Sequence, residues 1–420
     1  MGIWHGRYSC SRRGRGLTVA LRVRQQRGVV VEYKGSGVVL DPTGNGHGYP
    51  VFVSHAHADH AAAFKFPERQ KYATEETHQL LHSLGWKHLD NWQRIKLGDR
   101  IKVDDVEVHV HNAGHVLGSV QFEVNTPEGT VLYTGDIGLE ESYTMHPAES
   151  VECDILVVET TFGAPMFSFP KRRDVALDMV RWATMEAIPS GRIPVFKTDS
   201  IGNAQEVIRI FNSLTKLPMV TAKSATKVSD VYKGYGHNLE YYDSKSSDGE
   251  ELIEGGKCAV ISPKGSKLPY ENQDPALASG WAVLFRGRQR AFALSDHADF
   301  KSLLGFIRRC KPKRVLTFHG GTMTRDFPEY VRKKLGIDAH PLSAKEETLN
   351  GTVQRGETRI KACTNQILRT IRIPGFEYGT AWLEREMTKQ GYSSGETEET
   401  LGFLVSRGIL VRTEKGVKMS

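Results

Sequence analysis

Cysteine is scarce, with five in 420 residues: Cys10, Cys153, Cys258, Cys310 and Cys363, no two in Cys-x-x-Cys spacing. Scattered and odd in number, they exclude a disulfide-stapled framework and a cysteine zinc site, and they point to a reducing, cytoplasmic setting. Long apolar runs are also missing. None approaches the roughly 18 residues of a membrane helix, so no membrane partner is expected. No acidic residue precedes Glu32, whereas Arg7, Arg12, Arg13, Arg15, Arg22, Arg24 and Arg27 accumulate there. That bias occurs in organellar targeting peptides. Against it, Leu17, Val19, Leu21 and Val23 alternate with Thr18, Ala20, Arg22 and Arg24, the period of a half-buried strand rather than of an amphipathic helix.

Nor is there the excess of charge or of proline that keeps a chain disordered. With 39% hydrophobic and 25% charged residues, the composition is that of a globular protein long enough for more than one core. Lys and Arg total 56 against 49 Asp and Glu, and the resulting +7 suits a polyanionic partner.

Strand patterns at 28–41, 50–54, 101–110, 119–124, 130–134 and 155–159 predict a β-rich layer, with helical spacing at 75–84 outside it. From Pro165 to about residue 290 helix and strand patterns alternate, as in an inserted α/β domain. The earlier style returns with strands at 292–295 and 314–318 and a helix at 302–309. After Thr364, helical spacing at 378–389 and 396–407 precedes two short strands flanking Lys415-Gly416, a winged-helix-like order.

The strongest chemical signal is His55-Ala56-His57-Ala58-Asp59-His60, four potential ligands in six residues directly after an apolar strand. Imidazole with carboxylate suits zinc, and such density is costly without a metal. Further ligands stand just past other strands: His115 in the stretch 111–119, and Asp136 in Tyr133-Thr134-Gly135-Asp136. Two metals sharing a carboxylate, for which Asp136 is the candidate, would hold a hydroxide between them at roughly 3.5–4 Å separation, a nucleophile at neutral pH.

In this His-x-His-x-Asp-His, later His and later Asp order, the chain resembles the metallo-β-lactamase superfamily. Three more stretches, Glu159-Thr160-Thr161-Phe162-Gly163, Ser295-Asp296-His297-Ala298-Asp299 and Phe318-His319-Gly320-Gly321, resemble the additional motifs of its β-CASP nucleases. The resemblance runs from about Val31 to Leu342. It implies a metallo-β-lactamase αββα sandwich, of overall α/β class, in two parts (17–164 and 291–363), and an inserted β-CASP α/β domain (165–290); the element order after Thr364 adds a C-terminal winged-helix-like unit (364–420). It also implies two Zn²⁺, one on His55, His57, His115 and Asp136, the other on Asp59, His60, Asp136 and His319. Asp41 would orient ligands rather than bind metal. His297, hydrogen-bonded by Glu159, would protonate the leaving oxygen. Phosphodiester hydrolysis needs such a donor, and a carboxylate favours protonated imidazole.

The stretch 161–170 is similar to that of archaeal messenger-RNA 3′-end-processing-like proteins and of DNA-ligase-associated putative exonucleases. Histidine at 319 matches family members acting on RNA, where the DNA crosslink-repair branch has valine. The ligase-associated group shares this histidine, so RNA is favoured and DNA remains a substrate to test. Ser200-Ile201-Gly202-Asn203 is similar to the family's glycine turn, where Asn203 or Ser200 would cap a helix or the helix start would receive a phosphate. Competing expectations are a (thio)ester or lactone hydrolase of the same superfamily, and an inactive nucleic-acid-binding relative. A homodimer contact or a protein partner is the alternative to nucleic acid for the C-terminal unit.

Overall fold

The structure is a computed structural model that describes residues 21–419 except 46–47, 267, 286–289, 350, 354–362, 365, 369, 372–376, 391, 393, 407–408 and 414–415. The arginines Arg12, Arg13 and Arg15, the strand residues before Leu21, and Arg407 and Lys415 of the C-terminal unit lie outside the described residues. The chain divides into two compact units, Met1–Ala344 and Lys345–Ser420.

The first unit is built on three sheets. In the first, β1 (Leu21–Gln25), β2 (Val29–Tyr33), β3 (Ser36–Leu40), β4 (Val51–Phe52), β5 (Lys71–Thr74) and β6 (Trp92–Ile95) lie in chain order. Lys34 (φ 50°) and Gly35 (φ 93°) make the tight β2–β3 turn, a left-handed pair that suits the twist of a hairpin. The second sheet runs β19 (Asp338–Pro341), β18 (Arg314–Phe318), β11 (Ile155–Glu159), β10 (Gly129–Tyr133), β9 (Val120–Thr126), β8 (Val106–Asn112) and β7 (Arg100–Val103). The stretch 101–110, read as one strand from the sequence, is two antiparallel strands that turn at Asp104-Asp105.

Alternation fixes how these sheets pack. Along β8, Val106, Val108 and Val110 are buried while Glu107, His109 and His111 are half-buried. The ring of Phe52 on β4 meets Phe122 on β9 edge-on at 5.3 Å, so the two sheets face each other. On the other side of the second sheet, Leu132, Leu156, Val158 and Val315 pack with Leu303, Phe306 and Ile307 of α6 (Phe300–Cys310) and with Phe327 and Val331 of α7 (Met323–Leu335). Asp299 caps α6 by accepting the Ser302 amide at 2.8 Å. Helix α1 (Glu75–Ser83), capped by Thr74, adds Leu80 and Leu81 to the core that also holds Val30, Val39 and Val51 of the first sheet. The result is the αββα sandwich.

Between β11 and α6 lies a third sheet, all parallel: β14 (Tyr242–Asp243), β13 (Met219–Thr221), β15 (Ala259–Pro263), β12 (Ile193–Thr198), β16 (Gln273–Ala278) and β17 (Ala291–Phe292). Its helices include α2 (Arg172–Arg181), α3 (Asn203–Leu214), α4 (Lys223–Gly234) and α5 (Ser247–Glu254). Helix α3 starts at Asn203 itself, and the Gln205 side chain accepts the Gly202 amide, so neither Asn203 nor Ser200 is the cap. The Tyr232 hydroxyl of α4 accepts the Leu117 amide at 3.0 Å, fastening the inserted sheet to the loop that carries His115.

In the second unit a short strand at Tyr378–Gly379 precedes helices Thr380–Lys389 and Ser394–Ser406 and the antiparallel pair Leu410–Arg412 and Gly416–Met419. The helical spacing expected from 378 thus begins two residues later, because Tyr378 pairs with Val417. Among the described residues no helix is long and apolar enough to cross a membrane.

Candidate active site

Strands β10, β11 and β18 run parallel side by side. Residues at or beyond their C-terminal ends, Asp136, Glu159 and His319, therefore emerge at one edge of the second sheet, where parallel α/β sheets place their ligands. Strand β8, two antiparallel steps from β10, points the same way and delivers His115. From the facing sheet, β4 leads through Val53 and Ser54 into His55.

The expected ligands converge. His57 Nδ1 lies 3.1 Å from both His55 Nε2 and His115 Nε2. Asp136 Oδ2 lies 3.6 Å from His55 Nε2, 3.9 Å from His115 Nε2 and 3.4 Å from His60 Nε2. Its other oxygen, Oδ1, faces His319 Nδ1 at 3.3 Å, and His319 Nε2 faces Asp59 Oδ2 at 3.0 Å. One carboxylate therefore stands between two donor groups, His55/His57/His115 and Asp59/His60/His319.

These side chains fit bound cations. His60 Nε2, Asp136 Oδ1 and His319 Nδ1 are buried with no hydrogen-bond partner, an arrangement that costs free energy unless something binds them. Burial, with help from neighbouring imidazoles, lowers His57 and His115 to about 4 and His55 well below the usual histidine range, so each ring is neutral and carries a lone pair for a metal near pH 7. Burial also opposes charge on His60, but Asp136 and Asp41 overcome it and hold its proton. A cation bound there would take the place of that proton.

Asp41 sits behind this group. Its carboxylate accepts from the Ser54 amide (2.6 Å), the Ser54 hydroxyl, the Tyr133 hydroxyl (2.8 Å) and His60 Nδ1 (2.7 Å). His60 is thereby fixed in the tautomer that turns Nε2 toward Asp136. Ser54 Oγ lies 2.9 Å from His55 Nδ1, and the Asp296 carbonyl lies 3.2 Å from His115 Nδ1, so two more rings are oriented the same way. Sequence reading missed Ser54, Tyr133 and the Asp296 carbonyl. The signal for the first two was adjacency, since Ser54 precedes His55 and Tyr133 opens the stretch ending in Asp136. Asp41 (φ 44°) and His319 (φ 47°) both occupy the left-handed region, a strained backbone of the kind that concentrates at functional sites.

His297 lies beside His115, ring centroids 4.5 Å apart, and its Nδ1 is 2.9 Å from Glu159 Oε1. Glu159 is buried and also accepts the Ile137 amide (3.1 Å) and the Thr161 amide (3.0 Å). Burial opposes charge on His297, but Glu159 and Asp136 outweigh it and raise it to about 10. A groove of about 540 Å³ opens beside Asp59, His60 and His319 and is lined also by Arg27, Arg325 and Gly320. His109 and His111 bond instead to carboxylates on the sheet surface, and His78 stacks on Trp92, so none of these joins the site.

Residues 47–189 match the model of a beta-lactamase superfamily domain, and residues 286–341 match that of a Zn-dependent metallo-hydrolase RNA specificity domain. An RNase J-like protein of Methanocaldococcus jannaschii is 24% identical over 342 residues, covering 64% of this chain and 81% of that protein. The chain thus pairs a match to a beta-lactamase superfamily domain with one to a Zn-dependent metallo-hydrolase RNA specificity domain, and it is similar to β-CASP proteins of the metallo-β-lactamase superfamily. RNase aCSPSF2 of Saccharolobus solfataricus, another relative, is 27% identical over 356 residues (68% of this chain, 72% of that one). A probable DNA ligase of Opitutus terrae is 29% identical over 299 residues, 69% of this chain, but the match spans only 28% of the ligase. A crystal structure of a protein of unknown function from Enterococcus faecalis shares the fold, with TM-score 0.56 and 15% identity, over 79% of this chain and all of that one. Strands β12 to β16 of the third sheet lie in the interval between the two family matches, and β17 falls within the second.

Proposed function

We propose that this protein is a zinc-dependent β-CASP nuclease that hydrolyses phosphodiester bonds, with RNA favoured over DNA, and that it holds two zinc ions. The observation that carries the reading is the convergence of six donor residues on Asp136 beside the His297–Glu159 pair. His55, His57, His115 and Asp136 would hold one ion, and Asp59, His60, Asp136 and His319 the other. Bound zinc supplies a Lewis acid and lowers the pKa of water toward neutrality. The chain's own groups do the rest. Asp41, Ser54 and the Asp296 carbonyl hold three imidazoles with their outer nitrogens inward. Glu159, itself fixed by two backbone amides, accepts from His297 Nδ1, leaving Nε2–H to donate to the departing oxygen of the phosphodiester.

The match of 286–341 to an RNA specificity domain and the two RNase relatives support RNA, while the ligase relative makes DNA part of the test. A panel of RNA and DNA strands labelled at the 5′ or 3′ end, run beside a nitrophenyl ester, decides the matter. Cleavage of strands that chelator abolishes, faster on RNA, is expected. Ester turnover without strand cleavage would favour a small-molecule hydrolase, and strand binding without any turnover an inactive relative. Deletion of 364–420 tests whether the C-terminal unit carries self-association or a protein contact.

A further inference from the structure

An aromatic cluster walls the side of the site on which His297 stands. Phe162, 2% exposed, meets the His297 ring in a T-shaped contact, with centroids 5.8 Å apart and planes at 83°. Behind it stand Phe167 at 5.0 Å and Phe169 at 5.1 Å. The outermost member is Trp281, 5.1 Å from Phe162 and 5.4 Å from Phe167, and 39% of it reaches solvent. The 3₁₀ turn Gly280–Leu284 carries it. Gly280 is pressed so closely on the cluster that a Cβ there would come within 2.5 Å of the Phe162 ring and 2.9 Å of Ser295 Oγ. The same Ser295 hydroxyl accepts the His297 amide at 3.0 Å. Trp281 is thus fixed, through Phe162 and Gly280, to the segment that positions His297.

The packed rings leave this indole partly in solvent. Leu284, three residues on and so on the same side of a 3₁₀ turn, is 46% exposed, and Met166 of the Phe162–Phe167 loop is 66% exposed. A rigid indole with one side supported and another open is the form in which proteins stack nucleobases of single strands, whatever the base. We propose that Trp281, backed by Phe162 and Phe167, is a stacking platform for a nucleobase of a single-stranded substrate, on the leaving-group side of the bond that His297 serves. This inference rests on the nuclease reading and adds that the substrate is read there unpaired.

The test compares Trp281→Ala and Trp281→Phe in a zinc-loaded His297→Ala background, so that strands survive. Binding of a short fluorescein-labelled RNA is followed by anisotropy, beside strands with a single abasic position moved along the chain. Trp281→Ala is expected to weaken binding about five- to hundredfold, with Trp281→Phe keeping most of the affinity. One abasic position should cost the Trp281 protein a similar factor and cost Trp281→Ala nothing further. Equal affinity of the alanine and tryptophan proteins, or an abasic penalty that persists in Trp281→Ala, would overturn the platform. If Trp281→Ala does not fold, the abasic scan on the Trp281 and phenylalanine proteins still decides, because the absence of any sensitive position refutes the proposal. Strands cleaved normally by protein with all its native residues while these tests fail would sink the platform alone; no cleavage by that protein with zinc bound would sink the nuclease reading and the platform with it.

Discussion

Asp41→Asn separates the orienting role of a carboxylate from metal binding itself. Asp41 accepts four donors on two oxygens, among them His60 Nδ1 at 2.7 Å and the Tyr133 hydroxyl at 2.8 Å. An asparagine keeps one acceptor oxygen and turns an NH₂ group toward the remaining donors. His60 then loses a charge-assisted hydrogen bond, a class that contributes about 1.5–3 kcal/mol, and with it the constraint that aims Nε2 at Asp136. Removing such a partner typically costs 10–100-fold in metal affinity. Asparagine tolerates the φ of 44° as well as aspartate does, so the backbone is not the cause of any change. Zinc titration against a chromophoric chelator should show one binding step weakened about 10–100-fold, that of the His60 group. The step belonging to His55, His57 and His115 should move much less. Two unchanged steps, or two equally weakened ones, would show that Asp41 does not orient His60 for one ion.

Tyr133→Phe removes one of the same four bonds without inverting any dipole, so it should weaken the same step by about tenfold or less, read in the same titration. His297→Ala should retain its zinc by metal analysis and lower kcat about 10²–10⁴-fold, with Glu159→Gln acting in the same direction; loss of an ion from His297→Ala would place that ring among the ligands instead. His111 is held above the usual histidine range by its hydrogen bond to Glu123, with Glu149 adding to it. A pKa raised on folding gives stability that is complete below the unfolded value and is lost as pH rises through the folded one. Denaturant midpoints should therefore show the protein more stable than His111→Gln at pH 5.5, with the gap shrinking by pH 8.5, whereas a constant gap would contradict the ion pair.

The candidate ligands were legible because they are dense and stand just past strands. His55 to His60 fill six positions, and Asp136, Glu159 and His319 stand where parallel strands β10, β11 and β18 end together. What holds those ligands was less legible, because it is assembled across the chain. Tyr133 reaches Asp41 over 92 positions, and the Asp296 carbonyl reaches His115 over 181. No local pattern marks such contacts. The inserted sheet was readable in style but not in detail, because β13 and β14 are only three and two residues long and an apolar run that short has no period to detect. The strand at Tyr378–Gly379 was hidden for a related reason. It exists through pairing with Val417 and Gly416, nearly forty positions away, while its own sequence continues the helical spacing that follows.

Zinc counted per chain in Asp136→Asn tests whether two ions share this carboxylate. Protein purified without chelator should carry two zinc ions. Asp136→Asn should lose occupancy at both groups together and lose strand cleavage with it, because the carboxylate faces His55, His60 and His115 on one oxygen and His319 on the other. Retention of both ions in Asp136→Asn, or full cleavage by zinc-free protein, would contradict the account.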